Sequence, residues 1–142
     1  MVTAVTAKDF LSQAYRIDQR INSKLEQVQS LRELATKATA TLTDAPVSGS
    51  RKVHSMSDII DKMIDLENEI NEDIDRLVDL KREIVSLIKR VENPEYQTLL
   101  ELRYLCFKSW EQIAVTMNYT SRNVFKMHDQ ALERVENLLT VQ

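Results

Sequence analysis

Glycine occurs once and proline twice in 142 residues. Sandwiches, barrels and glycine loops that cradle phosphate reverse direction often and draw heavily on both residues, so these folds are excluded and an all-α chain is left. The single cysteine, Cys106, cannot close an internal disulfide, and two histidines far apart in sequence make no metal constellation, so we expect no cofactor and no metal. No apolar run approaches the roughly 18 residues of a membrane span, and no charged, apolar, then small-residue leader opens the chain. The expectation is a cytoplasmic protein without membrane contact. What the chain does have is enough apolar material for a core, 43% hydrophobic against 29% charged, which excludes overall disorder.

The net charge of -3 is unevenly spread. Residues 1–54 carry 8 basic and 5 acidic side chains, residues 55–92 carry 6 and 11, and residues 93–142 carry 5 and 6. The segments therefore stand at +3, -5 and -1, which lets the first pair with the second and leaves no strongly basic stripe.

The middle segment has the clearest periodicity. Met56, Met63, Ile70, Leu77, Ile84 and Val91 recur every seven residues, with Ile59 or Ile60, Leu66, Ile74, Leu80 and Leu87 between them. That is a heptad seam, and it predicts a helix from about Ser57 to about Val91, roughly 50 Å long at 1.5 Å per residue. The first segment repeats the design with Ala14, Ile21, Val28, Ala35 and Leu42, interleaved by Phe10 or Leu11, Ile17, Leu25, Leu31 and Ala38. Thr6 and Asp9 suit its N-terminal cap. Threonines at 36, 39, 41 and 43 predict fraying, and Thr43 to Ser55 reads as a flexible connection. Neither amphipathic helix is stable without a partner for its stripe, so residues 1–92 are expected to fold as an antiparallel hairpin that serves as an oligomerisation or partner-binding arm. Heptads alone do not choose between this pairing and a homodimer.

Residues 93–142 change character, holding six of the eight aromatic residues, which suit a small globular core better than a seam. Asn93-Pro94 starts a helix that runs to about Leu105. Cys106 to Lys108 break it, Ser109 and Gln112 form a capping box for a short helix from Trp110 to about Met117, and Thr120 caps a last helix. Val124, Met127, Ala131, Leu132 and Val135 define the apolar face of that helix, with Tyr119 and Val124 spaced as a hydrophobic staple. A short helix, a turn and a second helix with an exposed polar face make a helix-turn-helix bundle.

The side chains narrow this further. Leu102-Arg103-Tyr104-Leu105, Ser109-Trp110-Glu111-Gln112-Ile113-Ala114, Asn118 to Val124 and Ala131-Leu132 together resemble region 4 of sigma-70-type transcription initiation factors, over residues 94 to 138. With a heptad-rich helical pair ahead of it, the chain resembles small transcription regulators of phages and prophages of Gram-positive bacteria, the ArpU and RinA type. The resemblance implies a sequence-specific regulator in the bacterial host cytoplasm, with double-stranded DNA and RNA polymerase as partners. It also implies which residues read DNA. Ser121, Arg122, Phe125 and Lys126 would face the major groove, Thr120 and Asn123 would lie near the backbone, and His128 further along. Arg122 could then bond guanine in bidentate fashion, Lys126 reach a base or phosphate, and Phe125 touch a thymine methyl. Asn118 stands where the family commonly has glycine, in a left-handed turn that asparagine tolerates.

Catalysis is not expected. Cys106 and His128 lack an orienting third group and an oxyanion device, and the carboxylates of residues 58 to 79 occupy outward heptad positions. Cys106 reads as packed or half-packed in its turn, Trp110 and Tyr104 as core. The alternative function is a coiled-coil interaction or assembly protein whose C-terminal bundle does not bind DNA.

Overall fold

A computed structural model describes residues 6–44 and 49–140 of the protein. These form five helices in the order α1 (Ala7–Asp44), α2 (Gly49–Lys89), α3 (Pro94–Tyr104), α4 (Trp110–Met117) and α5 (Ser121–Thr140), with no strand among the described residues. The all-α expectation and the long antiparallel pair are both present. The boundary between the long helices differs from the sequence reading. Of the expected connection Thr43 to Ser55, residues 43–44 and 49–55 are helical, and 45–48 lie outside the described residues. The threonines do not end α1 early, because Thr36 and Thr39 turn their hydroxyls back onto the Arg32 and Ala35 carbonyls at 3.0 and 2.9 Å and stay within the helix.

The chain divides into two compact units, one of Asp18 to Arg76 and one of the residues up to Ile17 with those from Leu77 onward. In the first unit α1 and α2 bury Ile21, Val28, Ile59, Leu66 and Ile70. Lys24 pairs with Asp73 at 2.7 Å and Arg32 approaches Glu67 at 3.9 Å, so positions rise along one helix as they fall along the other. That is the antiparallel sense. One step of the seam is polar where the sequence reading placed Leu25 and Ile74. Lys24 and Asp73 occupy it, and Leu25 and Ile74 are exposed. The Lys24 ammonium also lies 3.4 Å from Glu69. Its hydrogen bond to Asp73, against the opposing effect of burial, holds the Asp73 carboxyl below its ordinary range, and the same bond raises Lys24. A buried polar pair in an apolar seam adds little net stability but penalises every other register, since a slip would leave each charge alone.

In the second unit Thr6 caps α1, its hydroxyl accepting the Asp9 N–H at 3.1 Å. Ala7, Leu11 and Ala14 then pack with Leu80, Ile84, Leu87 and Ile88 of α2 and with Leu100, Tyr104, Ala131 and Val135. A second cluster of Leu99, Ile113, Ala114, Val124 and Met127 joins α3, α4 and α5. The C-terminal helices thus share one core with the outer ends of α1 and α2. The Ala7 N–H donates to the Glu136 carboxylate at 2.8 Å, tying the start of α1 to α5.

Candidate nucleic-acid interface

Each end of the short helices is set by a local signal. The Asn93 side chain accepts N–H bonds from Glu95 and Tyr96, with Pro94 at the first position where no donor is needed. Ser109 and Gln112 make the reciprocal capping box of α4. Asn118 ends α4 in the left-handed region, φ 60 and ψ 44, and its N–H and that of Tyr119 close the turn onto α4 carbonyls. Thr120 Oγ1 accepts the Asn123 N–H at 3.1 Å and so caps α5. The Tyr119 hydroxyl donates to Glu95, which ties this turn to α3.

The caps aim α5 so that one face enters the core and the other meets solvent. Val124, Met127, Ala131 and Val135 are buried, and Thr120, Ser121, Arg122, Asn123, Phe125 and Lys126 are exposed. Six of the seven residues named for DNA contact therefore share the accessible start of α5. Arg122 and Lys126, four residues apart, lie on one stripe of it.

His128 does not belong to that surface. It is 5% exposed, because it sits at Val124 plus four and Ala131 minus three, on the buried face. Its Nε2 lies 2.6 Å from the Tyr104 hydroxyl, and its ring packs edge-on to Trp110 at 4.6 Å. Burial pushes its pKa down to about 4, Asp129 opposing and Lys8 and Arg103 adding to the shift. Burial likewise pushes Tyr104 up to about 12, so a neutral imidazole and a neutral phenol share the bond. His128 is a core residue beneath the candidate surface.

Phe125 is half exposed, and its ring is supported by Trp110 at 5.2 Å. The Arg103 guanidinium lies over the same Trp110 ring, 4.2 Å from its centroid. Sequence reasoning read Trp110 as core and gave Arg103 no role, and so missed that both continue the aromatic and cationic surface from Phe125. It also missed Lys8, which lines a cavity of about 380 Å³ with Arg103, Ser109 and Trp110, since nothing in a linear pattern brings α1 to α4.

The turn before α4 holds a second surprise. Phe107 adopts φ 57, a left-handed conformation that costs a non-glycine residue roughly 1–2 kcal/mol. Two cations pin it: Lys81 lies 4.9 Å over the Phe107 ring and donates to the Leu105 carbonyl at 3.2 Å, and Arg103 donates to the Lys108 carbonyl at 2.9 Å. Tyr15 meets the same ring edge-on at 5.5 Å. Cys106, expected to be at least half packed, is exposed in this turn.

A family described as a protein of unknown function, DUF1492, matches residues 36–136. The chain belongs to that family. No curated protein and no solved structure matches it. The DUF1492 match takes in the whole of α3 and α4, both caps of the turn between α4 and α5, and every exposed candidate residue. Among the described residues, no helix is long and apolar enough to cross a membrane, and no three His, Cys, Asp or Glu side chains are grouped to hold a metal ion.

Proposed function

We propose that this DUF1492 protein is a sequence-specific DNA-binding transcription regulator of the sigma-like kind, encoded by phages or prophages and acting in the bacterial host cytoplasm. The observation that carries this reading is the amphipathic start of α5. Ser121, Arg122, Phe125 and Lys126 are exposed together at the accessible end of a capped helix whose other face is locked into α3 and α4. In this reading α5 inserts its first turns into the major groove, where arginine reads guanine and an exposed ring reads a thymine methyl. In this reading Thr120 and Asn123, in the first turn, meet phosphate. RNA polymerase is the second partner in this reading.

Residues 93–142 stand at -1, so the electrostatic contribution is local rather than global, and a single module binds weakly and with strong salt dependence. The test is selection of duplexes from a random pool by the full chain at low salt, followed by binding at two salt concentrations. A discrete enriched sequence, with affinity falling steeply between low and physiological salt, is expected. No enrichment, or binding indifferent to salt, refutes the reading.

A further inference from the structure

The seam of α2 is not its only apolar stripe. Ile60, Ile64 and Ile74 are 47%, 51% and 41% exposed, and Val78, four residues further along the same helix, is exposed as well. With Glu67 and Asn71 they occupy positions 60, 64, 67, 71, 74 and 78, spaced four and three residues in alternation. That is a second heptad line, turned roughly 100° from the first. Scattered exposed aliphatics need no explanation, but a line of four at coiled-coil spacing does. Beside it runs a groove of about 470 Å³, walled by Leu25, Gln29 and Arg32 on α1 and by Glu67 and Asn71 on α2. Leu25, 49% exposed, extends the apolar surface onto α1.

We infer that this face is where a second copy of the chain docks, with the two α2 helices antiparallel about a two-fold axis at Glu69. Three observations select this occupant. The chemistry of the line reads the same in both directions: about residue 69, Ile60 falls opposite Val78, Ile64 opposite Ile74 and Glu67 opposite Asn71. An isologous contact demands this self-complementarity, and a partner of unrelated sequence does not. The polar step then resolves itself only in the antiparallel sense. Asn71 makes no side-chain hydrogen bond among the described residues and has an amide to donate, while the Glu67 carboxylate is held only loosely by Arg32 at 3.9 Å. A parallel pair would set Glu67 against Glu67. Finally the size is adequate. A line of 18 residue steps is roughly 27 Å long, and a face two helices wide is roughly 20 Å across, giving about 1,000 Å² for both copies together, the lower bound for a specific interface.

The inference is independent of DNA binding, and salt separates the two. The dimer brings together segments of residues 55–92 that each carry -5, so screening strengthens it, whereas screening weakens any hold on phosphate.

The experiment is sedimentation of the full chain in a Cys106→Ser background, with Ile64→Glu and Ile74→Glu as variants and circular dichroism to check that helicity is kept. Both sites are exposed, so the hairpin should tolerate the changes. The expected result is a dimer of the 16.5 kDa chain that tightens with salt and dissociates at least tenfold more readily in either variant. Disulfide trapping gives the orientation: Ile64→Cys chains should cross-link to Ile74→Cys chains in a mixture and far less to each other. A monomer at all concentrations, a dimer indifferent to both glutamates, or preferred cross-linking of position 64 to itself overturns the inference.

Discussion

The buried pair of Tyr104 and His128 makes the stability of the protein depend on pH. His128 is neutral in the folded state because burial depresses its pKa to about 4, against 6.5 for the free side chain. The unfolded chain therefore binds the extra proton first as pH falls. Stability is at its full value above the unfolded pKa, declines as pH drops from about 6.5 towards about 4, and levels off below that. A depression of this size corresponds to a loss of about 2 kcal/mol by pH 5 and about 3 kcal/mol by pH 4. The ring is 5% exposed, so solvent does little to soften the effect. Urea unfolding of wild type and His128→Gln at pH 7, 6 and 5 measures it. The variant starts less stable at pH 7, since it loses the packing of the ring against Trp110, but its stability should fall less steeply with acid. The gap between the two should narrow by about 2 kcal/mol from pH 7 to pH 5. Parallel pH profiles would refute the assignment of His128 to the core and return it to the surface.

Three further expectations concern other elements. Asp73→Ala should destabilise the hairpin more than the double variant Lys24→Met with Asp73→Leu, because the single change leaves the Lys24 cation in the seam with only the half-exposed Glu69 beside it; equal thermal midpoints would show that the pair is not buried in solution. The protection given by Asp73 is present above its ordinary carboxylate pKa and lost as pH falls through the depressed folded value, so in strong acid the wild-type midpoint should drop further than that of the double variant. Asn118→Ala should cost about 1–2 kcal/mol and Asn118→Gly close to nothing, since the left-handed turn is penalised only by a β-carbon that brings no local hydrogen bond; urea midpoints decide between them. Arg122→Ala should lose about 1–3 kcal/mol at one base position of the selected DNA site and relax preference there, and Lys126→Ala should weaken binding evenly and lower the salt slope by about one. A footprint unchanged in both variants would remove the start of α5 from the interface.

The caps were legible because they are local. Asn93-Pro94, Ser109 with Gln112, and Thr120 each announce a helix start within four residues, and all three stand in the structure where those residues place them. The buried face of α5 was legible from spacing, and the same spacing contained the correction for His128, which lies among Val124, Met127 and Ala131 whatever its polarity. Polarity was given too much weight there. The same weighting misplaced one step of the long seam. Hydropathy prefers Leu25 to Lys24 and Ile74 to Asp73, and only the chain brought back on itself shows that the two charged residues satisfy each other at 2.7 Å.

What no single-segment pattern contains is the identity of the partner face. The apolar stripe at the start of α1 meets Ala131 and Val135 through Ala7, Leu11 and Ala14, yet its sequence would serve equally well against α2 alone. The small side chains are the physical reason it fits: alanines at 7 and 14 admit close neighbours, and Leu11 fills the space between them. The exposed line on α2 shows the same ambiguity from the other side. A helix with Ile59 buried and Ile60 exposed has two faces able to pack, and the first is used within the chain by residues 18 to 76. The polar step decides which is which. Lys24 closes the inner seam on Asp73, and on the outer line Asn71 faces solvent with its amide unused among the described residues, in the place where an inverted copy would bring a carboxylate to meet it.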